Sequence, residues 1–407
     1  MAASGAALGD DQGGLKSLLK DHGITPSLQY QGDGAVNAVG GARRGGTYLG
    51  DLQLQLQIDG GPLIGVPGLT LYLNGLDIHG GQASGFVGDA QGVSNIAGPP
   101  GFTPYEAWLQ YNTLDRRLSV LAGLYDLNTE FYFLPSATAL LNSSFGIGPE
   151  FAFTGVGGPS IYPATSLGTR VAYRATRNLL VRAAVLDGAP LRRPDGNWGV
   201  FESGDGALLV AELAYFVAPT PSEGTTLPIG RGGDGVKHKS KIALGGWYYT
   251  ASFDDLSEVD AGGQPVRHRG SGGAYLVAEH NLIAATNDTD LNLAAFVQAG
   301  VGDSRVNRFG AYLGAGLVAT NFVGAWTGDQ VALGFAMARN GSHFMSAQSA
   351  QDIPTRRAET ALELSYKAPV NDWLTLQPDV QYVVHPDTDP TQSNALVFQF
   401  QMTITFQ

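Results

Sequence analysis

Charged and aromatic side chains recur at alternate positions in several short segments of the chain. Between residues 102 and 112, Glu106, Trp108 and Gln110 share one parity, and apolar residues hold most of the other. Carboxylates, guanidinium groups and amides hydrogen-bond to hydroxyl groups, and aromatic rings cover apolar surface in binding sites. This mixture suits a hydroxyl-rich solute such as a sugar, whereas a wall of one charge sign would select ions.

The same sorting of charges recurs in segments far apart in the chain. One parity carries the charges and the other carries Leu, Val, Ile and Tyr around Arg170, Arg174, Arg182, Glu212, Lys241 and Glu363. Strand side chains alternate between two faces, so each segment has a polar and an apolar face. A charge facing lipid near the bilayer midplane costs roughly 2–4 kcal/mol, which accounts for the sorting if the apolar face meets lipid. For any single charge, the alternative is a salt bridge along the inner wall of a barrel.

The alternation extends over nearly the whole chain and predicts an all-β fold. Its purest example is the C-terminal segment, in which Leu396, Phe398, Phe400, Met402, Ile404 and Phe406 share one face. Candidate strands cover about 24–33, 46–58, 69–79, 102–112, 118–126, 167–175, 179–187, 208–216, 241–249, 272–280, 291–300, 308–320, 330–338, 357–366, 374–384 and 395–406. About 16 strands of roughly ten residues predict a transmembrane antiparallel β-barrel.

The remaining segments complete the predicted architecture. Residues 1–23 are expected to form a loose N-terminus with a short amphipathic helix near Gly14–His22, and residues 24–407 a single barrel domain. Residues 127–166 form the longest break in the strand pattern and predict a constriction loop folded into the lumen. Tight turns at 112–117 and 176–178 contrast with long connectors at 80–101, 188–207, 217–240, 250–271 and 339–356. We expect long loops at one end of the barrel and short turns at the other.

Tyrosines lie near the ends of several candidate strands. Aromatic side chains of this kind form belts at membrane interfaces, because one end of the ring is apolar and the other polar. This reading predicts interface positions for Tyr48, Tyr72, Tyr111, Tyr215, Tyr248, Tyr366 and Tyr382.

Composition narrows the function. The 407 residues carry a net charge of −12, which argues against a nucleic-acid partner, and they include no cysteine for disulfides or thiolate metal sites. The sequence contains no run of about 18 apolar residues, so it predicts no helical membrane span. The histidines, His238 among them, are scattered, and no nucleophile or zinc motif of the common types occurs. The acidic stretch 287–290 matches no calcium-loop motif. We therefore predict no catalytic residue, metal or cofactor.

Several other functions fit parts of the pattern. A soluble sugar-binding protein would need a second apolar layer to cover the outward faces, and the other parity is polar. An enzyme built on a barrel would need a nucleophile beside an oriented base. A general porin, or one that prefers sugar acids or polyols, stays open because Arg170, Arg174 and Arg182 could attract an anionic solute.

Motifs in a fixed order resemble the OprB-type carbohydrate-selective porins. They are Tyr105–Tyr111, Leu121–Asn128, Leu141–Gly146 and Tyr162–Gly168, followed near the C-terminus by Trp373–Tyr382 and His385-Pro386. The resemblance extends from about Leu15 to Phe406. One departure is that Phe406 is penultimate and Gln407 ends the chain, whereas family members usually end on an aromatic residue.

The resemblance implies a bacterial outer-membrane porin for passive diffusion of glucose-like mono- and disaccharides into the periplasm. The implied partners are small neutral sugars and outer-membrane lipid, and the protein would be a monomer or a homotrimer. No secretory leader follows Met1, so we expect one to have been removed. Carried over to this chain, the expected pore and constriction residues are Glu106, Trp108, Asp126, Asn128, Glu130, Asn142, Arg170 and Arg182. Alternatively, the Asp126–Glu130 segment is a structural turn that anchors the inward loop.

Overall fold

The computed structural model describes residues 14–192, 196–217, 240–283 and 291–406. Within these ranges, 16 antiparallel strands pair in chain order, and the first strand closes the barrel against the last. The strands are β1 (Ile24–Val39), β2 (Gly45–Asp59), β3 (Leu69–Gly80), β4 (Gly101–Asn112), β5 (Leu118–Tyr125), β6 (Ser166–Arg174), β7 (Leu179–Asp187), β8 (Ala207–Phe216), β9 (Ser240–Val259), β10 (Pro265–Ile283), β11 (Asn292–Gly302), β12 (Phe309–Thr320), β13 (Gln330–Asn340), β14 (Ala358–Asn371), β15 (Leu374–Val384) and β16 (Ala395–Phe406). The predicted barrel of about 16 strands is confirmed.

Five short helices interrupt the strands: α1 (Leu15–Asp21), α2 (Gly60–Ile64), α3 (Ser84–Val87), α4 (Pro149–Ala152) and α5 (Ser342–Ala350), counted within the described ranges. Helix α1 confirms the short helix predicted near the N-terminus. It ends where Gly23 adopts a positive φ of 75°, a conformation that costs a glycine little. Over the residues that the structure describes, no helix has the length and apolarity needed to cross a membrane.

The alternation of side chains sorts the strands into an outer and an inner face. In β16, Phe398 and Phe400 are exposed on the outer face, and Gln399 and Gln401 are buried inside the barrel. The inward parity predicted for the charged residues of β4, β6, β7, β8, β9 and β14 holds throughout. A one-residue slip in register would turn every one of these charges toward the apolar side, so the pattern fixes the pairing.

The predicted loop at 250–271 is wrong, because β9 and β10 continue through this region as a long hairpin. Val259 pairs with Pro265, and the turn between them is closed by the Asp260 carboxylate, which accepts hydrogen bonds from the N–H groups of Gly262 and Gln264. The extension carries polar side chains on both faces. It therefore lacks the one apolar face that marks a membrane strand in the sequence.

The predicted separation of long loops from short turns holds only in part. The connector from Val217 to residue 239 joins β8 to β9 at the same end as the tight turns 113–117 and 175–178, so one long connector belongs to the turn end. The length of a connector alone therefore does not show at which end of the barrel it lies. Residues 218–239 with His238, the acidic stretch 287–290 and Gln407 lie outside the described residues.

The interface position predicted for Tyr72 is also wrong. Tyr72 points into the barrel and stacks on Trp108, with ring centroids 5.0 Å apart at an interplanar angle of 27°. The outward parity of β3 belongs instead to Leu69, Leu71 and Leu73. Position near a strand end cannot separate a belt tyrosine from an inward one, because either face offers the ring an apolar and a wet side.

The outer face of β8 offers a direct test of the membrane-facing assignment. Ala211 is exposed between Leu209 and Leu213 on that face, near the middle of the strand. We expect Ala211→Arg to lower the free energy of unfolding from lipid vesicles by about 2–4 kcal/mol, because the charge must leave water. Denaturant titration measures the loss. The matched variant Ala211→Leu should unfold like the parent, and equal stability of the Arg and Leu variants would contradict the assignment.

Candidate functional site

The long connector 126–165 folds into the barrel and forms part of its core; we call it the main inner loop. Phe131, Tyr132, Phe145 and Phe151 of this loop are almost completely buried. Gly334 of β13 permits the close approach, because a Cβ atom there would lie 2.5 Å from the Phe145 ring. The predicted inward loop is therefore confirmed, and much of the barrel interior is filled by protein.

Carboxylates on the barrel wall hold the backbone of the main inner loop. Glu212 accepts a hydrogen bond from the Tyr132 N–H at 3.0 Å, and Glu363 accepts from the N–H groups of Leu141 and Asn142. Glu279 accepts from both the N–H and the hydroxyl of Ser136, at 3.1 and 2.8 Å. Three strands of the wall, β8, β10 and β14, thus fix the loop at three points.

The connector 81–100 also folds inward, and we call it the second inner loop. Glu359 of β14 accepts hydrogen bonds from the N–H groups of Ala90 at 2.8 Å and Gln91 at 3.0 Å, and from the Asp387 N–H at 2.6 Å. The Ser143 N–H donates to the Gly92 carbonyl at 2.8 Å, which ties the two inner loops together. We call Glu212, Glu279, Glu359 and Glu363 the wall carboxylates. The sequence carried one sign of this inward fold, the apolar residues Val87, Val93 and Ile96 in a glycine-rich connector; all three are buried.

Arg170, Arg182 and Glu130, three of the predicted constriction residues, meet in a buried charge cluster. Arg170 Nε lies 2.7 Å from Glu130, and Arg182 Nη1 lies 2.8 Å from Glu212. Arg182 also donates to the Glu130 carbonyl at 2.5 Å. At most 3% of any of these four side chains is exposed, so the cluster binds the main inner loop to β6, β7 and β8.

Glu106, Trp108 and Asp126 form a second predicted group. Glu106 accepts from the Trp108 indole N–H at 3.3 Å and from the Asp126 N–H at 3.4 Å. The Asp126 carboxylate accepts from the Tyr105 hydroxyl, and it caps the turn Leu127–Thr129 through the Asn128 N–H. This geometry matches the alternative that the Asp126–Glu130 segment is an anchoring turn.

The two predicted asparagines also hold the main inner loop. Asn128 Nδ2 donates to the Gly146 carbonyl at 3.0 Å, and Asn142 Nδ2 donates to Gln381 on the wall at 3.0 Å. Asn128 is half-buried, whereas Asn142 is buried with the other six predicted residues. The eight residues therefore form a frame around the loop, not one open patch.

An open cavity of about 800 Å³ lies among the inner loops and the outer connectors, toward the end of the barrel opposite the tight turns. Phe153, which follows α4, is 55% exposed at this cavity, and its ring centroid lies 5.7 Å from that of the buried Phe309. We call this space the upper cavity. The polar and aromatic residues that line it are Gln82, Ser84, Asp89, Gln91, Ser143, Phe153, Arg308, Phe309 and Asp387.

A fixed ion pair stands beside the aromatic rings. Arg308 Nη1 lies 2.6 Å from Asp387 Oδ1, and the guanidinium lies over the rings of Phe309 and Phe344 at 4.8 and 5.0 Å. Arg308 Nε also donates to Asn340 at 3.3 Å, which orients the group. Side-chain exposures of 28% for Arg308 and 50% for Asp387 leave both groups open to a solute. A fixed donor fork, an acceptor and an exposed ring can together bind a polyhydroxyl ring.

A half-buried carboxyl group, that of Asp89, also lines the upper cavity. Burial raises the pKa of Asp89, and hydrogen bonds from Ser84 and from the Gly92 N–H at 2.7 Å oppose that rise. Sequence reasoning missed Phe153, Arg308 and Asp387, because they lie in connectors or at a strand edge, where parity carries no information. The one available sign was Asp387, which directly follows the His385-Pro386 motif.

The Glu130–Arg170 pair gives a test of the anchoring role. We expect Arg170→Met to lower the free energy of unfolding by about 3–5 kcal/mol, because Glu130 would be buried without its counter-charge. The double variant Arg170→Met with Glu130→Gln should lose less free energy of unfolding, because it leaves no unpaired Glu130 charge buried. Denaturant unfolding in detergent measures both. A single variant as stable as the double would contradict the reading of a buried, mutually dependent pair.

Comparisons with known proteins agree with this architecture. The family model described as "Carbohydrate-selective porin, OprB family" matches residues 43–406. Porin B of Pseudomonas aeruginosa is 25% identical over 97% of this chain and 90% of its own length. The high-pH structure of Pseudomonas putida OprB, 22% identical, covers 97% of each chain with a TM-score of 0.81. The outer-membrane channel DcaP of Acinetobacter baumannii, 9% identical, shares the fold with a TM-score of 0.55 over 94% of this chain and 97% of its own. The chain therefore belongs to the OprB family of carbohydrate-selective porins and is a channel protein of the bacterial outer membrane.

Proposed function

We propose that this porin conducts small neutral sugars, glucose-like mono- and disaccharides, by passive diffusion through the upper cavity. The observation that carries the proposal is the exposed Phe153 ring beside the Arg308–Asp387 pair. The ring would stack on the apolar face of a pyranose, while the guanidinium donates to hydroxyl groups and the carboxylate accepts from them. Affinity must stay weak, because a solute that binds tightly cannot leave the channel.

The eight residues predicted from the sequence enter the proposal as the frame of the constriction. Glu130, Arg170 and Arg182 would hold the main inner loop at a fixed distance from the opposite wall, so that the loop backbone and the second inner loop set the pore width. Their role is thus to position the constriction, without contact to the sugar. The protein would act as a channel and not as an enzyme, as a monomer or a homotrimer, since one chain closes the barrel.

A preference for anionic sugar acids receives less support. Arg170, Arg174 and Arg182 suggested it from the sequence, but Arg170 and Arg182 are each paired with a glutamate inside the barrel. The net charge of −12 also opposes the approach of an anion. Arg308 is paired in the same way with Asp387, and the other charged residue lining the upper cavity, Asp89, is acidic, so this cavity offers an anion no unpaired positive charge.

The upper cavity can be tested by removing its exposed ring. We expect Phe153→Ala to raise the glucose concentration that half-blocks the ion current by about two- to tenfold, because one aromatic contact with the sugar is lost. Titration of glucose against single-channel current in planar bilayers measures the change. The matched variant Phe322→Ala removes a 64% exposed ring from the turn end and should behave as the parent does.

Liposome swelling completes this test. The parent should admit glucose faster than an amino acid of similar size, and Phe153→Ala should narrow that difference. Equal rates for both solutes in the parent would leave only a general porin. Unchanged glucose block in Phe153→Ala would contradict the proposed contact.

A further inference from the structure

The barrel interior is not uniform below the inner loops. On four strands that are neighbours in the barrel, β16, β1, β2 and β3, most inward residues toward the turn end are uncharged and polar. The exception is Asp59 at the end of β2, whose carboxylate caps α2 by accepting a hydrogen bond from the Gly61 N–H. We call six of the uncharged residues the exit wall: Gln29, Gln31, Gln55, Gln57, Thr403 and Thr405. All six are half-buried or exposed, although their parity points them into the barrel, so they face the open lumen.

Register places these side chains on a regular grid. Gln29 pairs with Thr405 on one side and with Gln53 on the other, and Gln31 pairs with Thr403. Neighbouring strands are about 4.8 Å apart, and successive inward residues on one strand are roughly 6.7 Å apart. A solute with several hydroxyl groups can therefore reach more than one amide or hydroxyl at once.

A chain of hydrogen bonds orients the amides. Gln53 Nε2 donates to Asp51 at 3.0 Å, and Gln55 Nε2 donates to Gln53 Oε1 at 3.1 Å. Within the described part of the chain, Gln55 Oε1 accepts no protein hydrogen bond. Hydrogen bonds in such a chain polarise one another. Because this chain runs from Gln55 to Asp51, it leaves the acceptor Gln55 Oε1 facing the lumen.

An aromatic ring borders the exit wall. Gln57 pairs directly with Tyr72, whose ring is stacked on Trp108 and remains half-buried at the lumen. The charged groups Asp51 and Glu106 lie farther from the turn end, behind this layer, and are buried. Neutral donors and acceptors beside an aromatic face can hydrogen-bond the hydroxyl groups of an uncharged solute and cover its apolar surface.

We propose that the exit wall with Tyr72 is a second binding site for uncharged polyhydroxyl solutes, separate from the upper cavity and on the side where the channel empties. The inference rests on the proposed sugar channel for its direction of transport only. The site takes a neutral sugar or polyol through amide and hydroxyl contacts.

The test uses the whole protein in planar bilayers, with glucose as the probe and block of ion current as the readout. The variants are Phe153→Ala, Gln55→Leu with Gln57→Leu, and all three substitutions together. We expect the double leucine variant to raise the half-blocking glucose concentration by about two- to tenfold, as for one net hydrogen bond lost. The triple variant should need a higher half-blocking glucose concentration than either Phe153→Ala or the double leucine variant. The control, Gln264→Leu with Gln351→Leu, changes two exposed glutamines outside the lumen.

The outcomes separate the two sites. Glucose block in the double leucine variant equal to that of the control overturns the exit wall, whatever Phe153→Ala does. A raised half-blocking glucose concentration in the double leucine variant, with no change in Phe153→Ala, supports the exit wall as a binding site. The same result overturns the proposed contact in the upper cavity.

A second pair of substitutions guards against misfolding. Gln55→Glu with Gln57→Glu keeps size and polarity and adds charge to the proposed path. The reversal potential in a KCl gradient should shift toward cation selectivity, whereas an unchanged potential in the folded variant would place these residues away from the conduction path.

Discussion

The structure depends on wall carboxylates that accept hydrogen bonds from the backbone of inward-folded loops. Glu212 lies on β8, Glu279 on β10, and both Glu359 and Glu363 on β14, and each receives one or more loop N–H groups. A barrel of 16 strands has a lumen too wide for its own side chains to fill. The loops fill it, and their N–H groups would be unsatisfied inside the barrel without these acceptors. The width of the remaining opening is therefore decided by where the carboxylates hold the loops.

This constraint explains how a strongly charged interior can serve a neutral solute. The arginines at 170 and 182 neutralise glutamates within the frame, and they are closed to the lumen. Among the groups that remain open, Arg308 is balanced by Asp387, and the six residues of the exit wall are uncharged. In the proposed channel, charged groups would build the constriction, and neutral or paired groups would meet the sugar. Such a division avoids strong binding of ions in a channel that must release its solute.

Much of the fold could be predicted from the sequence, because a lipid-facing strand leaves a period-two record. The bounds of β7, β15 and β16 follow that record closely, and the inward parity of Glu106 and Arg170 does too. The hairpin beyond the membrane left no such record, since both of its faces are wet. The upper cavity could not be predicted from the strand pattern. Phe153 and Arg308 meet only through the folding of connectors, for which side-chain parity carries no information.

The most direct measurement of the central claim is the single-channel conductance of Glu212→Gln. This substitution keeps the shape of a buried side chain that accepts from Tyr132, Arg182 and Tyr275 but removes its charge. If the carboxylate holds the main inner loop, the loop loosens, so conductance and current noise rise and glucose loses its advantage over an amino acid of similar size. The exposed control Glu258→Gln should match the parent. A folded Glu212→Gln barrel with the parent's conductance and selectivity would contradict the account.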